Sequence, residues 1–206
     1  EGNAIKDFKT IPVIVGGNSS KCSKLAEIFW EMALGVDVFS VSDPETAELV
    51  KLSDNLWIDT NIALANEIGI LSDGLGIDSL EVIEAANTLP KGRGKVNILF
   101  PGIGVGGYCL TKDPWFVQHL GKKMGYELRI PQSSRHANDF MPDYSFSLIK
   151  KEIDKKEKDI QDLKIAILGV SFKNNTGDCR FTPTKKIIQN LIDSGANISI
   201  FDPWVS

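Results

Sequence analysis

The sequence predicts an α/β chain in which two β-α-β units flank an all-α middle, and three observations predict it. Short apolar, β-branched runs that suit buried strands occur at residues 11–15, 36–41, 164–170 and 198–201, near the two ends. Each pair of runs is separated by a segment with apolar residues at helical spacing. From residue 43 to residue 160 the periodicity is helical throughout, interrupted by glycines rather than by strands.

In the first unit, Gly16-Gly17 ends a strand and Ser19 or Ser20 caps a helix whose Leu25, Ile28, Phe29 and Met32 are expected to face inward. Asp43-Pro44 then opens the longest helix, with Asp43 as N-cap and Pro44 at the first helical position, running past Ile70. Gly74, Gly76 and Asp78 punctuate it, and a short helix follows over 80–87. A helix is expected over 114–124, with Asp113 reading as its cap, and another over 138–160 with Asn138 as a candidate cap and Pro142 in its first turns. Thr182-Pro183 caps and starts a last helix carrying Ile187, Ile188, Leu191 and Ile192, and Gly195 ends it. The domain boundaries read as 1–42, 43–160 and 161–206. Both flanking units are too small to cover their own sheets, so the chain reads as a fragment.

With 27 acidic and 23 basic side chains the chain carries no electrostatic footprint for nucleic acid or an anionic membrane. No apolar run approaches the roughly 20 residues of a membrane span, and no signal-peptide pattern is present. The three cysteines, Cys22, Cys109 and Cys179, have no metal-ligand spacing and suit a reducing compartment, which places the protein in the cytoplasm.

The most informative stretch is Gly102-Ile103-Gly104-Val105-Gly106-Gly107-Tyr108-Cys109-Leu110-Thr111-Lys112-Asp113-Pro114-Trp115-Phe116. It delivers one cysteine from a glycine-rich turn into a helix start, with Lys112 and Asp113 close behind. Glycines let a ligand approach the backbone, a helix N-terminus favours negative charge, and a nearby ammonium favours thiolate. Those features make Cys109 a candidate nucleophile, against the plainer reading of a small packing residue. The string imitates a dinucleotide loop, but the stretch before it, residues 96–100, is short for that fingerprint's strand, and Gly125, Tyr126 and Glu127 lie beyond a helix end where the acidic residue is required, so it reads as a substrate and nucleophile loop. A Cys109 hydrolase built with His119 or His136 is disfavoured. His119 sits ten residues along the same expected helix, about 15 Å away by rise, and nothing in sequence orients His136.

The glycine-cysteine run closely resembles the motif of the UDP-glucose/GDP-mannose 6-dehydrogenase family. Two further stretches resemble the same family: Thr46-Ala47-Glu48-Leu49-Val50-Lys51-Leu52-Ser53-Asp54-Asn55, and Phe172-Lys173-Asn174-Asn175-Thr176-Gly177-Asp178-Cys179-Arg180, which is similar to its FKxxTxDxR motif. The resemblance implies an all-α central dimerisation domain flanked by two incomplete Rossmann-like β-α-β units, from the end of an NAD domain and the start of a UDP-sugar domain. It implies NAD-dependent oxidation of the C6 alcohol of a UDP-sugar to a carboxylate through a Cys109 thiohemiacetal and thioester. By the same resemblance the cofactor would be NAD, the substrate a UDP-sugar, and the partner a second copy docked through the central helices. The NAD fingerprint itself is absent, so this chain alone is expected not to bind NAD productively.

Residue by residue, the resemblance assigns Cys109 as nucleophile, Lys51 and Asn55 to the substrate oxygen, Asp113 to the hydrolytic water and Glu1 to acid/base assistance. Gly104, Gly106 and Gly107 would offer backbone donors to the sugar and diphosphate, Lys112 would reach an NAD phosphate, and Lys173 and Arg180 would bind the nucleotide sugar. Either Arg93 or Lys95 would cross to the partner's substrate, Arg93 by its distance from the cysteine and Lys95 by its place before Val96. Arg135 and Asn138 match an RxxN helix start. Periodicity alone instead reads Lys51 and Asn55, with Glu48 and Asp59, as a polar stripe facing solvent. The Val105-Gly106-Gly107 and Asp113-Pro114-Trp115-Phe116 variants resemble enzymes for UDP-N-acetylhexosamines, whereas Tyr108 and Lys112 resemble UDP-glucose enzymes. The competing class is a non-catalytic, dimerising nucleotide-sugar-binding module.

Overall fold

The structure, a computed structural model, describes residues 10–91, 94, 95 and 97–205. Contacts gather the chain into two compact units, Glu1–Asp54 and Asn55–Ser206. The division falls inside the longest helix, and the segments expected as separate domains on either side of residue 160 lie in one unit.

In the first unit β1 (Val13–Gly16), α1 (Ser20–Leu34) and β2 (Val38–Val41) form the expected parallel crossover, with Val13 opposite Val38 and Gly16 opposite Val41. Ser19 caps α1 by accepting the Cys22 N–H at 3.2 Å, and Gly35 ends it at φ 64°. The apolar stripe of α1 differs from expectation. Leu25, Ile28, Phe29 and Met32 are exposed, Met32 at 82%, because a two-stranded sheet that buries Val15 offers no surface to cover them. Asp43 caps α2 (Pro44–Leu75) by accepting the Thr46 N–H at 2.7 Å, as its sequence requires.

The second unit holds the rest of α2, α3 (Ser79–Asn87), α4 (Tyr108–Lys123), α5 (Arg129–Asp154) and α6 (Thr184–Asp193). It also holds the parallel pair β5 (Lys164–Leu168) and β6 (Asn197–Phe201), which run either side of α6 in sequence. A two-residue antiparallel ladder, β3 (Pro90–Lys91) with β4 (Gly94–Lys95), interrupts the otherwise helical middle. Ile83, Met141, Ile187 and Leu191 form its buried apolar centre. Ile192 is exposed, and so are Leu168 and Phe201, which pair across β5 and β6. None of the described helices is long and apolar enough to cross a membrane.

Two helices begin earlier than their sequences suggest. Helix α4 starts at Tyr108 rather than Pro114, and α5 at Arg129 rather than Asn138, so Pro114 and Pro142 are interior and neither Asp113 nor Asn138 is a cap. At the start of α6 the Thr182 hydroxyl makes no capping bond, and Pro183 occupies the cap position.

The reason α5 extends through Asn138 is tertiary. Asp59 of α2 is fully buried, and one of its carboxylate oxygens accepts from Arg135 Nη1 at 2.6 Å and Asn138 Nδ2 at 2.8 Å, while the other accepts from the Ser134 hydroxyl at 2.9 Å. Asn138 in turn accepts from Asn66 Nδ2 at 2.9 Å, and Asn66 Oδ1 accepts the Gly102 N–H at 2.8 Å. Every one of these groups would be costly to bury alone, and apart from the Nε of Arg135, which is buried without a hydrogen-bond partner, they satisfy one another.

The segment leading to the glycine turn, residues 97–101, forms neither helix nor strand, and no described strand pairs with it. Asparagine side chains take that place: Asn61 bonds the Asn97 carbonyl and Leu99 N–H, and Asn87 bonds both the N–H and carbonyl of Ile98. Backbone polarity is thereby met without a sheet, and the turn that follows has a fixed origin.

Asp202, just past β6, performs a similar task for the turn after β5. Its carboxylate accepts the N–H groups of Val170 at 2.9 Å, Trp204 at 2.9 Å and Ser171 at 3.0 Å. Those bonds, that from Val170 foremost, hold its pKa well below the ordinary carboxylate range. A lowered folded-state pKa stabilises the fold above the unfolded value near 4, and that contribution is lost as pH falls toward the folded value. Hydrogen-exchange protection of the Val170 and Ser171 amides is therefore expected to decline progressively below about pH 4. In Asp202→Ala it should be low at every pH and show no such decline.

Candidate active site

The glycine turn lies against the segment that follows β5. A Cβ on Gly106 would stand 2.4 Å from Phe172 Cβ, and one on Gly107 would stand 2.8 Å from the Phe172 ring. Gly107 also has φ +82°, a conformation that side-chain-bearing residues rarely adopt. Its N–H donates to the Arg180 carbonyl at 2.9 Å, so in this structure that donor is directed to the protein. Gly104 lies on the other side of the turn, where an added Cβ would meet Pro183 at 3.0 Å and the Asn138 carbonyl at 3.2 Å.

Tyr108 and Cys109 are the first two residues of α4, and Cys109 is exposed. The turn is tied by the Thr111 hydroxyl, which donates to the Gly107 carbonyl at 2.6 Å. Asp113 follows Cys109 by four residues and so shares its face of the helix. It is buried, at 4% exposure, and accepts from Asn55 Nδ2 of α2 at 2.5 Å. Two residues 58 positions apart, singled out by separate motifs, are thus in direct contact.

Lys51 is exposed four residues before Asn55 on α2, in the first compact unit. Lys112 is exposed on α4 with its ammonium 5.7 Å from the Phe116 ring centroid. Arg180 forms a fork on Asp178, at 2.8 Å from Nε and 2.5 Å from Nη2, and its guanidinium stacks 4.9 Å from the Tyr108 ring centroid. Lys173 is exposed in the same turn, and its carbonyl accepts the Thr176 hydroxyl at 2.9 Å. Lys95 has a described backbone, in β4, and Glu1 and Arg93 lie outside the described residues. His136 lies beside Trp115, ring centroids 6.1 Å apart, and His119 is exposed further along α4.

Sequence reasoning missed the residues behind this face. Asp59 read as part of a solvated stripe, yet it is the centre of the buried network with Arg135 and Asn138. A signal was present: Asn55, Asp59, Ala63 and Asn66 recur at spacings of four, four and three, which is one helix face, and all four are buried. A polar face at core spacing is matched by the i, i+3 pair Arg135 and Asn138 on α5.

Known proteins are similar to this chain in sequence and fold. The model described as "UDP-glucose/GDP-mannose dehydrogenase family, central domain" matches residues 45–140, and that of the family's UDP binding domain matches residues 166–206. The chain belongs to this family. A UDP-N-acetyl-D-mannosamine dehydrogenase of Methanocaldococcus jannaschii is 37% identical over 98% of this chain and 44% of its own length. The solved UDP-D-ManNAc dehydrogenase of Pyrococcus horikoshii superposes with a TM-score of 0.89 at 34% identity, over 100% of this chain and 47% of that one. A UDP-glucose dehydrogenase from Pyrobaculum islandicum superposes almost as well, with a TM-score of 0.87 at 27% identity over 99% of this chain and 46% of that one. The chain spans about half the length of the curated relatives it matches, and backbone shape does not separate N-acetylated from plain sugars.

Proposed function

We propose that this chain carries the nucleophile and part of the nucleotide-sugar site of an NAD-dependent UDP-sugar 6-dehydrogenase. The preferred substrate is a UDP-N-acetylhexosamine, with UDP-glucose the second candidate. The observation that carries the reading is the juxtaposition of an exposed Cys109 in the first turn of α4, Asp113 one turn on, and Asn55 bonded to Asp113. Similarity to UDP-N-acetyl-D-mannosamine dehydrogenases supports the choice of N-acetylated sugar.

Four-electron oxidation of an alcohol passes through an aldehyde, which would escape without a covalent hold. The Cys109 thiolate adds to C6 of the aldehyde, forming a C–S bond and an oxyanion. Asn55 stabilises that oxygen as an amide donor, and by resemblance Lys51 would do so as an ammonium. Departure of the second hydride from C6 leaves a thioester, water attacks its carbonyl, and the C–S bond breaks to give the carboxylate and return the thiol. Asp113 orients that water and accepts its proton, and its bond from Asn55 keeps the carboxylate turned toward the same site. NAD, when bound, supplies the hydride acceptor for both oxidations, and the exposed ammonium of Lys112 fits one of its phosphates. Gly104 and Gly106 shape the sugar pocket, Lys173 and Arg180 meet the diphosphate, and Glu1 with either Arg93 or Lys95 completes the assignment by resemblance.

The test is NADH formed per sugar consumed by the full-length product of the gene encoding this chain, with UDP-N-acetylmannosamine, UDP-N-acetylglucosamine and UDP-glucose in turn. The expected result is two NADH per sugar with one N-acetylated substrate, lost by roughly three orders of magnitude in Cys109→Ala. Absence of NADH with all three sugars would refute the reading and favour a nucleotide-sugar-binding module.

The partner is a second copy of the chain. Trp57, Leu64 and Leu71 recur every seven residues on α2 and are all exposed, a stripe that a facing helix would cover. Sedimentation velocity is expected to give a dimer, and a monomer at high protein concentration would contradict this interface.

A further inference from the structure

Helix α4 contains a defect of known position. In an unbroken helix the carbonyl of residue 110 accepts the N–H of residue 114, but residue 114 is Pro, which has no N–H and whose ring crowds that carbonyl. The Leu110 carbonyl thus lacks its ordinary ladder donor in α4, one residue after Cys109 and in the same first turn. A second helix supplies one: Arg135 Nη1 of α5 donates to the Leu110 carbonyl at 3.2 Å.

Arg135 is suited to hold rather than to bind. Its side chain is 1% exposed. Nη1 is shared between Asp59, at 2.6 Å, and Leu110, while Nη2 pairs with Asp139. A guanidinium fork fixed by two carboxylates cannot swing, so the N–H aimed at Leu110 arrives pre-positioned. With Asp59 and Asp139 offsetting its charge, it acts through geometry.

We propose that Arg135 is the positioning residue for Cys109, replacing from α5 the backbone donor that Pro114 removes from α4. This deepens the dehydrogenase reading, in which Cys109 must present its sulfur to C6 of the sugar at a fixed angle. The turn is then held at three points: Gly107 N–H on the Arg180 carbonyl, the Thr111 hydroxyl on the Gly107 carbonyl, and Arg135 on the Leu110 carbonyl. The arrangement leaves the first turn of α4 governed by neighbouring segments rather than by its own ladder.

Because Pro114 creates the need for Arg135, restoring the backbone donor should make Arg135 dispensable to the cysteine but not to the core. The experiment compares wild type, Arg135→Lys, Pro114→Ala and the double variant. It follows the alkylation rate of Cys109 by iodoacetamide, with modified peptides resolved by mass spectrometry, and the urea midpoint in parallel. Arg135→Lys keeps a charge opposite Asp59 but loses the fork, and is expected to change the Cys109 alkylation rate by about tenfold. Pro114→Ala alone should stay near wild type. The double variant should return to the wild-type alkylation rate while keeping the lowered urea midpoint of Arg135→Lys.

An unchanged rate in Arg135→Lys would overturn the proposal. So would a double variant whose rate matches that of Arg135→Lys, since the effect would then run through the core and not through Leu110. The same cycle built on Arg135→Gln keeps the test open where one of the two variants does not fold. Alkylation is read without sugar or dinucleotide, so failure here is distinguishable from failure of the dehydrogenase reading.

Discussion

Asp59 carries a carboxylate with no exposed surface, and the second unit is arranged so that this charge is never unpaired. Arg135, Asn138 and Ser134 of α5 all turn toward it, which ties α2 to α5. Arg135 reaches past it to α4, and Asn66 of α2 donates to Asn138 while accepting the Gly102 N–H. Two helices, the start of a third and the entrance to the glycine turn therefore depend on one buried ion pair. Removing one partner from such a pair costs about 3–5 kcal/mol because the other charge remains buried, while an apolar replacement of both can be nearly neutral. The pair is accordingly a constraint on geometry more than a source of stability.

The residues assigned to the proposed chemistry continue from that constraint. Asn55 precedes Asp59 by one helical turn and bonds Asp113, and Cys109 precedes Asp113 by one turn on α4. Asn55 and Asp113 are themselves buried, and only Cys109 at the start of α4 is exposed. Exposed reactive residues at helix starts are poorly held by their own hydrogen bonds, because the first turn has unsatisfied donors and few ladder bonds. Here side chains from α4 itself and from α5, and a backbone carbonyl from the segment after β5, make up the difference. The exposed apolar faces of α1, β5 and β6 are not part of this arrangement.

Much of this was legible in the sequence. The two parallel crossovers and the Asp43-Pro44 start of α2 follow from periodicity and capping chemistry, and motif resemblance singled out Asn55 and Asp113, which the structure brings into contact. What was not legible has a common cause, namely that a local rule was overridden by a distant partner. Pro114 and Asn138 look like helix starts because proline lacks a donor and asparagine caps well. In the structure Arg135 supplies the missing donor, and Asn138 spends its amide on Asp59, 79 residues away. Asp59 looked solvated for the same reason, since a carboxylate on a helix face reads as surface until its arginine is known. The stripe on α1 failed differently: its periodicity is sound, but the described sheet beside it is too small to bury it.

The central claim is that Asp59 and Arg135 act as one unit on which the second compact unit depends. The most direct measurement is urea unfolding of Asp59→Ala, Arg135→Ala and the double variant, followed by helical circular dichroism. Coupling predicts that each single variant loses about 3–5 kcal/mol and that the double variant loses less than the sum by more than about 1 kcal/mol. Losses that add to within about 0.5 kcal/mol would show two independent residues and contradict the account.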